Sequence, residues 1–347
     1  MREPVRKSSH PWLVGLCVLA IAVVYFALMA KAKYPAPGPS TVYDLDPYEL
    51  ADRIETRFTE QKSIPLDIQE PLAIIISPQG RIYVAGETEL AVYEKNGATV
   101  RKFDVSGAAR GLAMAPDGTL FLGMRDHIEV LDLAGGVEAV WESLGPLAWI
   151  TSIAVNEENV YVADAGNRTV HHYDRNGVHL GRIGDKDLDR DIPGIVVPGS
   201  PNFDIAFDSD GTLWVVNPGR LGLESYREDG NIITSWYRPS LGSEDRSRNI
   251  LKPDMLKSFS GCCNPSHIAF RSDGRLVTCD KGLVRIRVYE VTAGTFEELV
   301  VGSETFKRGQ ALRDMAIDAE DRIYVLDAHK SAIRIFKQKE QNDGKAS

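Results

Sequence analysis

Three cysteines and a histidine in the C-terminal half of the chain could carry chemistry. Cys262 and Cys263 are adjacent in the motif GCCNP, His267 follows them, and Cys279 ends a later apolar run. Thiolates with an imidazole form a soft ligand set that suits copper or zinc, Cu(I) or Zn(II). A disulfide is the second interpretation, either between the adjacent pair or from Cys279 to one of them; the adjacent bridge would be strained and readily reduced. Structural cysteines without a bond are the third interpretation.

A second candidate set combines acids, a base and arginines at matching places in similar segments. Asp204, His267 and Asp314 each begin a short apolar run, while Arg110 and Arg313 each stand one residue before such a place. Carboxylates beside a histidine can act as acid and base or bind a cation. They can equally form a ring of ion pairs and hydrogen bonds with no chemistry. We expect these five residues to form one face that binds a ligand or a partner.

Six similar segments are the elements that position these residues. Each has an apolar run, a polar turn and a second apolar run, and most add two further runs. The turns close hairpins between runs rich in Ile, Val, Leu and Tyr. Four antiparallel strands that recur in this way predict the blades of a β-propeller, an all-β fold. The equivalent positions of the six segments are Ile75, Ala113, Ala154, Ala206, Ala269 and Ala316.

One of these segments carries a family resemblance. Residues 160–177, VYVADAGNRTVHHYDRNG, resemble an NHL repeat, and weaker versions recur in the other five segments. The resemblance implies a six-bladed NHL-like β-propeller, to which we assign residues 62–338. Relatives of this kind include amidating lyases, lactonase-like enzymes, kinase sensor domains and modules that bind protein or RNA, so the resemblance specifies the fold and not the activity. We interpret Asp164, Asp280 and Asp327 as turn-forming aspartates of the repeat.

Two features concern the outline of the propeller. Residues 62–68 precede the first segment as a fourth strand would, so we expect them to close the ring by pairing in the last blade. Residues 184–201 and 238–264 are long insertions on the same face as the candidate residues. Long connections in a compact repeat are often functional, and these two could form a lid over the central channel; packed insertions without a ligand are the alternative.

The N-terminal segment predicts a membrane anchor. Residues 12–30 carry no charge and are long enough for one transmembrane helix to cross a bilayer. Basic residues in the tip, residues 1–11, favour a cytoplasmic N-terminus and a propeller on the periplasmic or extracellular side. A cleaved signal peptide is the alternative, because Ala30-Lys31-Ala32 resembles a cleavage motif.

Two further segments flank the predicted propeller. Residues 31–61 predict a proline-rich stalk and then a short helix between Asp44 and Glu60. The apolar face of that helix is predicted from residues at helical spacing, Tyr48, Leu50, Ala51, Ile54 and Phe58. Residues 339–347 predict a polar tail.

Net charge and missing motifs exclude several classes of function. The 347 residues carry a net charge of −9, and because the first 30 residues contribute +2, the predicted exported part carries −11. Such a chain is not expected to bind nucleic acid. Nucleotide-binding, zinc-protease and serine-hydrolase motifs are absent from the sequence. The sequence therefore favours a membrane-anchored, non-enzymatic scaffold that binds a protein or ligand, for example as a subunit of a membrane complex. The alternative is a metal-binding, thiol-redox or lyase- or lactonase-like site on the face with the cysteines.

Overall fold

The strands of the protein form a closed ring of six antiparallel sheets. The computed structural model describes residues 46–199, 202–237, 259, 263–291 and 295–339. Within each of the six repeated segments, strands that follow one another in the chain are hydrogen-bonded neighbours. The first strand of each sheet contacts the first strand of the next, and the sixth sheet contacts the first in the same way. The fold is therefore a six-bladed all-β propeller, as predicted.

A short N-terminal region precedes the first blade. It contains the helix α1 (Asp46–Ala51) and two short strands, β1 (Phe58–Glu60) and β2 (Ile64–Pro65). Within the described ranges, two 3-10 helices occur later, at Pro218–Arg220 and Ser303–Thr305.

Blades 1 to 3 contain four strands each. Blade 1 consists of β3 (Ala73–Ile76), β4 (Ile82–Ala85), β5 (Glu89–Tyr93) and β6 (Thr99–Asp104). Blade 2 consists of β7 (Gly111–Met114), β8 (Leu120–Gly123), β9 (Ile128–Leu131) and β10 (Val137–Val140). Blade 3 consists of β11 (Ile150–Val155), β12 (Asn159–Asp164), β13 (Thr169–Asp174) and β14 (His179–Ile183).

Blades 4 and 5 follow the same pattern, and blade 6 differs. Blade 4 consists of β15 (Ile205–Phe207), β16 (Leu213–Asn217), β17 (Gly222–Tyr226) and β18 (Ile232–Tyr237). Blade 5 consists of β19 (His267–Phe270), β20 (Leu276–Cys279), β21 (Ile286–Glu290) and β22 (Thr295–Val301). Blade 6 has only three strands from its own segment, β23 (Met315–Ile317), β24 (Ile323–Asp327) and β25 (Ala332–Gln338).

The N-terminal region supplies the missing outer strand of blade 6. Phe58 pairs with Gln338 and Ile64 pairs with Ile333, so β1 and β2 both lie against β25. Closure of the ring by residues 62–68 is thus confirmed for β2, and β1 extends the propeller to residues before Lys62. Pairing both strands removes an exposed sheet edge.

The core is divided among the interfaces between blades. Six clusters of buried apolar side chains occur in the described residues, and each joins two neighbouring blades. A blade buries its two faces only against its neighbours, so the ring is stable as a whole and not blade by blade.

The predicted helix between Asp44 and Glu60 is shorter than expected. It ends at Ala51, and Phe58, which we placed on its apolar face, belongs to β1. Ile54 and Leu50 from the same apolar pattern are 43% and 47% exposed. Strand pairing and burial of Phe58 in the core outweigh the helical periodicity of the segment.

The predicted anchor, most of the stalk and the polar tail from residue 340 lie outside the described residues. Among the residues that are described, no helix is long and apolar enough to span a bilayer.

Candidate functional site at the mouth of the central channel

The inner strands β3, β7, β11, β15, β19 and β23 line a central channel. Its cavity is about 460 Å³, and most of its lining is aliphatic or aromatic. Polar side chains gather where the inner strands begin. We call this end the channel mouth and define it by Arg110, Thr151, Ser152, Asp204 and Asp314, all of which line the cavity.

Asp204 and Asp314 occupy equivalent positions and make equivalent hydrogen bonds. The Asp204 carboxylate accepts hydrogen bonds from the backbone N–H of Ile205 (2.9 Å) and of Ile268 in the next blade (2.7 Å). The Asp314 carboxylate accepts hydrogen bonds from Met315 (2.7 Å) and from Ile74 in blade 1 (2.8 Å). The channel side of an inner strand has no neighbouring strand to accept its N–H groups. Each carboxylate therefore satisfies these donors and joins two blades.

The other blades use weaker versions of this contact or none. The Ser152 hydroxyl lies 3.4 Å from the backbone N–H of Ile205, and the His267 ring nitrogen Nε2 lies 3.3 Å from the Leu312 carbonyl. Blade 2 has Gly111 at this position, where a Cβ atom would lie 3.0 Å from Ile153. The polar contacts therefore cluster on blades 3 to 6.

His267 lies between the two carboxylates without a short contact to either. Its Nδ1 is 3.9 Å from Asp204 Oδ2 and 3.8 Å from Asp314 Oδ1. Burial lowers the pKa of His267 against the opposing charge of Asp204. Burial also raises the pKa of Asp204 and, together with the charge of Asp204, raises that of Asp314 well above its usual range. The structure brings these three candidates together in an environment that favours their neutral forms.

Replacing Asp314 with asparagine is expected to change how stability depends on pH. Burial raises the pKa of Asp314 above its value in the unfolded chain, so the folded protein binds this proton more tightly. The resulting stabilisation is complete below pH about 4 and is lost as the pH rises through the raised pKa. The free energy of unfolding of Asp314→Asn, measured relative to the native chain by urea denaturation, should therefore increase between about pH 4 and 7.

Asp318 provides a control of opposite sign for this experiment. Burial opposes its ionisation, but hydrogen bonds from Arg322 outweigh burial and hold the pKa of Asp318 below its usual value. Its stabilisation is present above that usual value and is lost as the pH falls. Asp318→Asn should therefore lose stability relative to the native chain as the pH rises. If the relative free energies of unfolding of the two variants changed equally with pH, this result would contradict the environment described for Asp314.

Arg110 and Arg313 lie on the same face, and two further residues join them. Arg110 lines the channel mouth, while Arg313 is 44% exposed and has a guanidinium nitrogen 3.7 Å from Glu70. The Arg110 and Arg125 guanidinium carbons lie 4.9 and 5.8 Å from the centre of the Trp149 ring. Sequence reasoning missed Arg125 and Trp149, although a tryptophan directly before the inner strand of blade 3 was a signal.

The cysteines are only partly described. Cys262 lies outside the described residues, and Cys263 is buried. His267 pairs directly with Cys279 across β19 and β20. Cys279 carries no disulfide, and its sulfur contacts the Asp280 carbonyl at 3.4 Å. Within the described part of the chain, no three His, Cys, Asp or Glu side chains are grouped so as to hold a metal ion.

Cys279 is expected to react very slowly with thiol reagents while the protein is folded. Its side chain is completely buried, and burial together with the charge of Asp280 raises the pKa of its thiol. Little of the reactive thiolate is then present at neutral pH. Mass spectrometry after iodoacetamide treatment should find Cys279 modified in urea and unmodified in buffer. Rapid modification in buffer would contradict the burial of this thiol.

The structure describes nearly all of the first predicted insertion but little of the second. In the first, Ile192, Ile195 and Val197 are buried, and the last two belong to the core between blades 3 and 4. The Asn217 side chain accepts a hydrogen bond from the backbone N–H of Val196 at 3.0 Å, so this insertion is packed against blade 4. Most of the second insertion lies outside the described residues; Phe259 is buried between blades 4 and 5.

Comparisons with known proteins show the fold alone. No family model matches the chain, and no curated protein matches it in sequence. A streptogramin B lyase structure is 12% identical with a TM-score of 0.53, covering 81% of this chain and 97% of the lyase. A catalytically inactive virginiamycin B lyase from Staphylococcus aureus with quinupristin is 14% identical with a TM-score of 0.53, covering 81% and 99%. Hydrazine synthase of Kuenenia stuttgartiensis is 14% identical with a TM-score of 0.51, covering 76% and 75%. At such identities these structures support the propeller architecture and no activity.

Proposed function

We propose that this protein is a membrane-anchored, exported propeller of the NHL type that binds a partner protein through the face containing the channel mouth. The observation that carries the proposal is the structural role of Asp204 and Asp314. Both carboxylates accept backbone hydrogen bonds that join blades, so the residues most suited to acid–base chemistry already have a structural role. A rigid ring with such a face is well suited to present residues to a partner.

The location rests on the N-terminal sequence. Residues 12–30 are uncharged and long enough to cross a bilayer, and the basic tip favours export of the propeller. Sedimentation with alkaline-washed membranes, together with protease digestion of the propeller in intact spheroplasts, tests this part. Recovery of the full-length chain in the soluble fraction would refute the anchor.

Partner binding is tested by co-purification from gently solubilised membranes. Arg313→Glu reverses a charge on the proposed binding face, and Lys95→Glu is its matched control. Both side chains are similarly exposed, 44% and 42%, and each pairs with one surface glutamate. We expect a protein that co-purifies with the native chain and with Lys95→Glu but is depleted with Arg313→Glu. A native chain that purifies alone, or equal recovery with both variants, would contradict the proposal.

A second candidate function is an acid–base enzyme of the lyase or lactonase kind. It is favoured by the placement of His267 within 4 Å of two carboxyl groups beside a channel of about 460 Å³. Two of the similar structures are lyases by name. Turnover of a lactone or amide panel by the native chain, lost in His267→Ala but retained in His329→Ala, would support this function. Absence of turnover with the panel favours the scaffold.

A further inference from the structure

Trp149 forms a fixed platform beside the channel mouth. Its backbone N–H donates a hydrogen bond to the Asp164 carboxylate at 2.9 Å, and its carbonyl accepts one from the N–H of Ala165 at 2.9 Å. The guanidinium groups of Arg110 and Arg125 both lie within 6 Å of its ring centre, a distance at which cation–π attraction holds them. Two positive charges are therefore concentrated at one indole ring.

These two arginines lack the anionic partner that the most deeply buried arginines of this protein have. Arg285, Arg287 and Arg334 are fully buried, and each contacts a carboxylate at 2.7 to 3.2 Å. Among the residues that the structure describes, neither the Arg110 side chain nor the Arg125 side chain contacts a carboxylate or another hydrogen-bond acceptor. Arg110 is half-buried and Arg125 is exposed. A half-buried guanidinium without an acceptor, such as that of Arg110, is a favourable place for an incoming carboxylate, which it can bind through two parallel hydrogen bonds.

The surrounding charges reinforce this preference. Burial and the positive charge of Arg313 both lower the pKa of Arg110, against an opposing contribution from Glu87. The carboxylate nearest to Arg313 is that of Glu70, 3.7 Å away. Of the two charges that act on Arg110, the positive charge of Arg313 has the larger effect, on a chain whose net charge is −9.

The carboxyl groups of the mouth belong to blades 4 and 6. Arg110 and Arg125, by contrast, flank the first two strands of blade 2, and Trp149 directly precedes the first strand of blade 3. Burial raises the pKa of both Asp204 and Asp314, so they repel an anion less than ordinary aspartates would. Lys281 also lies near His267, whose pKa it lowers in addition to the larger effect of burial. An anion can therefore bind beside the arginines without strong repulsion from the carboxyl groups on the other side of the mouth.

The channel below the mouth determines what kind of anion fits. Its cavity of about 460 Å³ is large enough for a compact organic molecule. Apolar side chains dominate the lining beneath Arg110, among them Ile74, Leu112, Met114, Ile153, Phe207 and Phe270. A ligand with an apolar body would bury that body in the channel while its charged head stayed at the arginines.

We propose that the channel mouth binds a small amphipathic organic carboxylate, with its head between Arg110 and Arg125 beside Trp149 and its apolar body in the channel. Such a ligand site goes beyond the partner-binding role and does not depend on it. The ligand belongs to the chemical class of short monocarboxylic acids that carry an aliphatic or aromatic group.

Calorimetric titration of the full-length chain in lipid nanodiscs tests the proposal, with empty nanodiscs as the blank. The probes are acetate, butanoate, hexanoate, the neutral hexanamide and inorganic sulfate. We expect saturable binding whose affinity rises by about fourfold for each added methylene buried in the channel. Hexanamide should bind at least about tenfold more weakly than hexanoate, because it lacks the charge that the arginines recognise.

Two variants and a matched control localise the binding. Arg110→Gln should weaken hexanoate binding by at least about tenfold, and the exposed Arg125→Gln, which leaves the channel lining intact, should weaken it less. Arg101→Gln is the control, since Arg101 also lies over an aromatic ring, that of Phe103, but on the outer strand of blade 1. It should leave hexanoate affinity within about twofold of the native value.

Several results would overturn this assignment. They are the absence of saturable carboxylate binding, equal losses of affinity in Arg110→Gln and Arg101→Gln, and sulfate binding as tight as hexanoate binding, which would show that the channel contributes nothing. If Arg110→Gln fails to fold, equal affinities for hexanoate in the native chain and in Arg125→Gln would likewise overturn it. None of these outcomes depends on whether a partner protein co-purifies, so failure of the ligand site and failure of the scaffold role are distinguishable.

Discussion

Replacing Asp280 with alanine is expected to destabilise the propeller by about 3–5 kcal/mol or more. The Asp280 carboxylate contacts Arg287 at 2.8 Å and Arg285 at 3.2 Å, and all three side chains are completely buried. The substitution would remove a carboxylate that both arginines contact, deep in a medium of low dielectric constant. Arg285 would retain its contact with Asp52 at 3.3 Å.

Equilibrium unfolding in guanidinium chloride at neutral pH measures this loss. Glu297→Ala is the matched control, because Glu297 also pairs with an arginine of blade 5, Arg275, at 2.7 Å, but its side chain is 28% exposed. The control should change the free energy of unfolding by less than about 1 kcal/mol. Similar effects of the two substitutions would show that the buried network does not stabilise blade 5 in the way its geometry indicates.

Truncating Phe58 to alanine is expected to cost about 3–5 kcal/mol. Phe58 is 4% exposed and packs in the core between blades 5 and 6, and its strand β1 forms part of the outer edge of blade 6. The substitution removes a large buried side chain and loosens the strand that closes the ring.

Thermal unfolding combined with limited proteolysis tests this prediction. Thr59→Ala is the control, since Thr59 lies on the same strand but is exposed, and its effect should stay within about 0.5 kcal/mol. Phe58→Ala should also make the segment before β3 more sensitive to protease. A loss below about 1 kcal/mol with unchanged cleavage would mean that the ring remains closed without this anchor.

The fold could be predicted from the sequence because the decisive signals are local and repeated. Turns such as Asp117-Gly118 and Asp273-Gly274 join runs of β-forming residues in six segments, and each forms the expected hairpin between the first two strands of its blade. The segment around Phe58 misled us for the opposite reason. Its helical periodicity is local, whereas its pairing partner Gln338 lies at the far end of the propeller.

The candidate site could be predicted in position but not in role. The alignment of the repeats brought Asp204, His267 and Asp314 to one face, where the structure has them. It could not show that the carboxylates accept backbone N–H groups of the next blade, because those donors become unpaired only when the ring closes. For Asp280 too, the position could be predicted but the contacts could not. Asp164 and Asp327 accept N–H groups of their own turns as predicted, while both oxygens of Asp280, at the equivalent position, contact arginines.

The pairing of β1 with β25 has a consequence for the order of folding. The backbone N–H of Lys339 donates a hydrogen bond to the Arg57 carbonyl at 2.6 Å, so the two ends of the propeller meet side by side. During synthesis the segment containing β1 leaves the ribosome before any blade, and its partner leaves last. Blades 1 to 5 can form their own hairpins in sequence, but the final step must bring together residues separated by nearly the whole chain. Such a closure is entropically costly and slow, and until it occurs β25 remains an open edge to which the β1 segment of another copy can pair, the route to domain-swapped dimers.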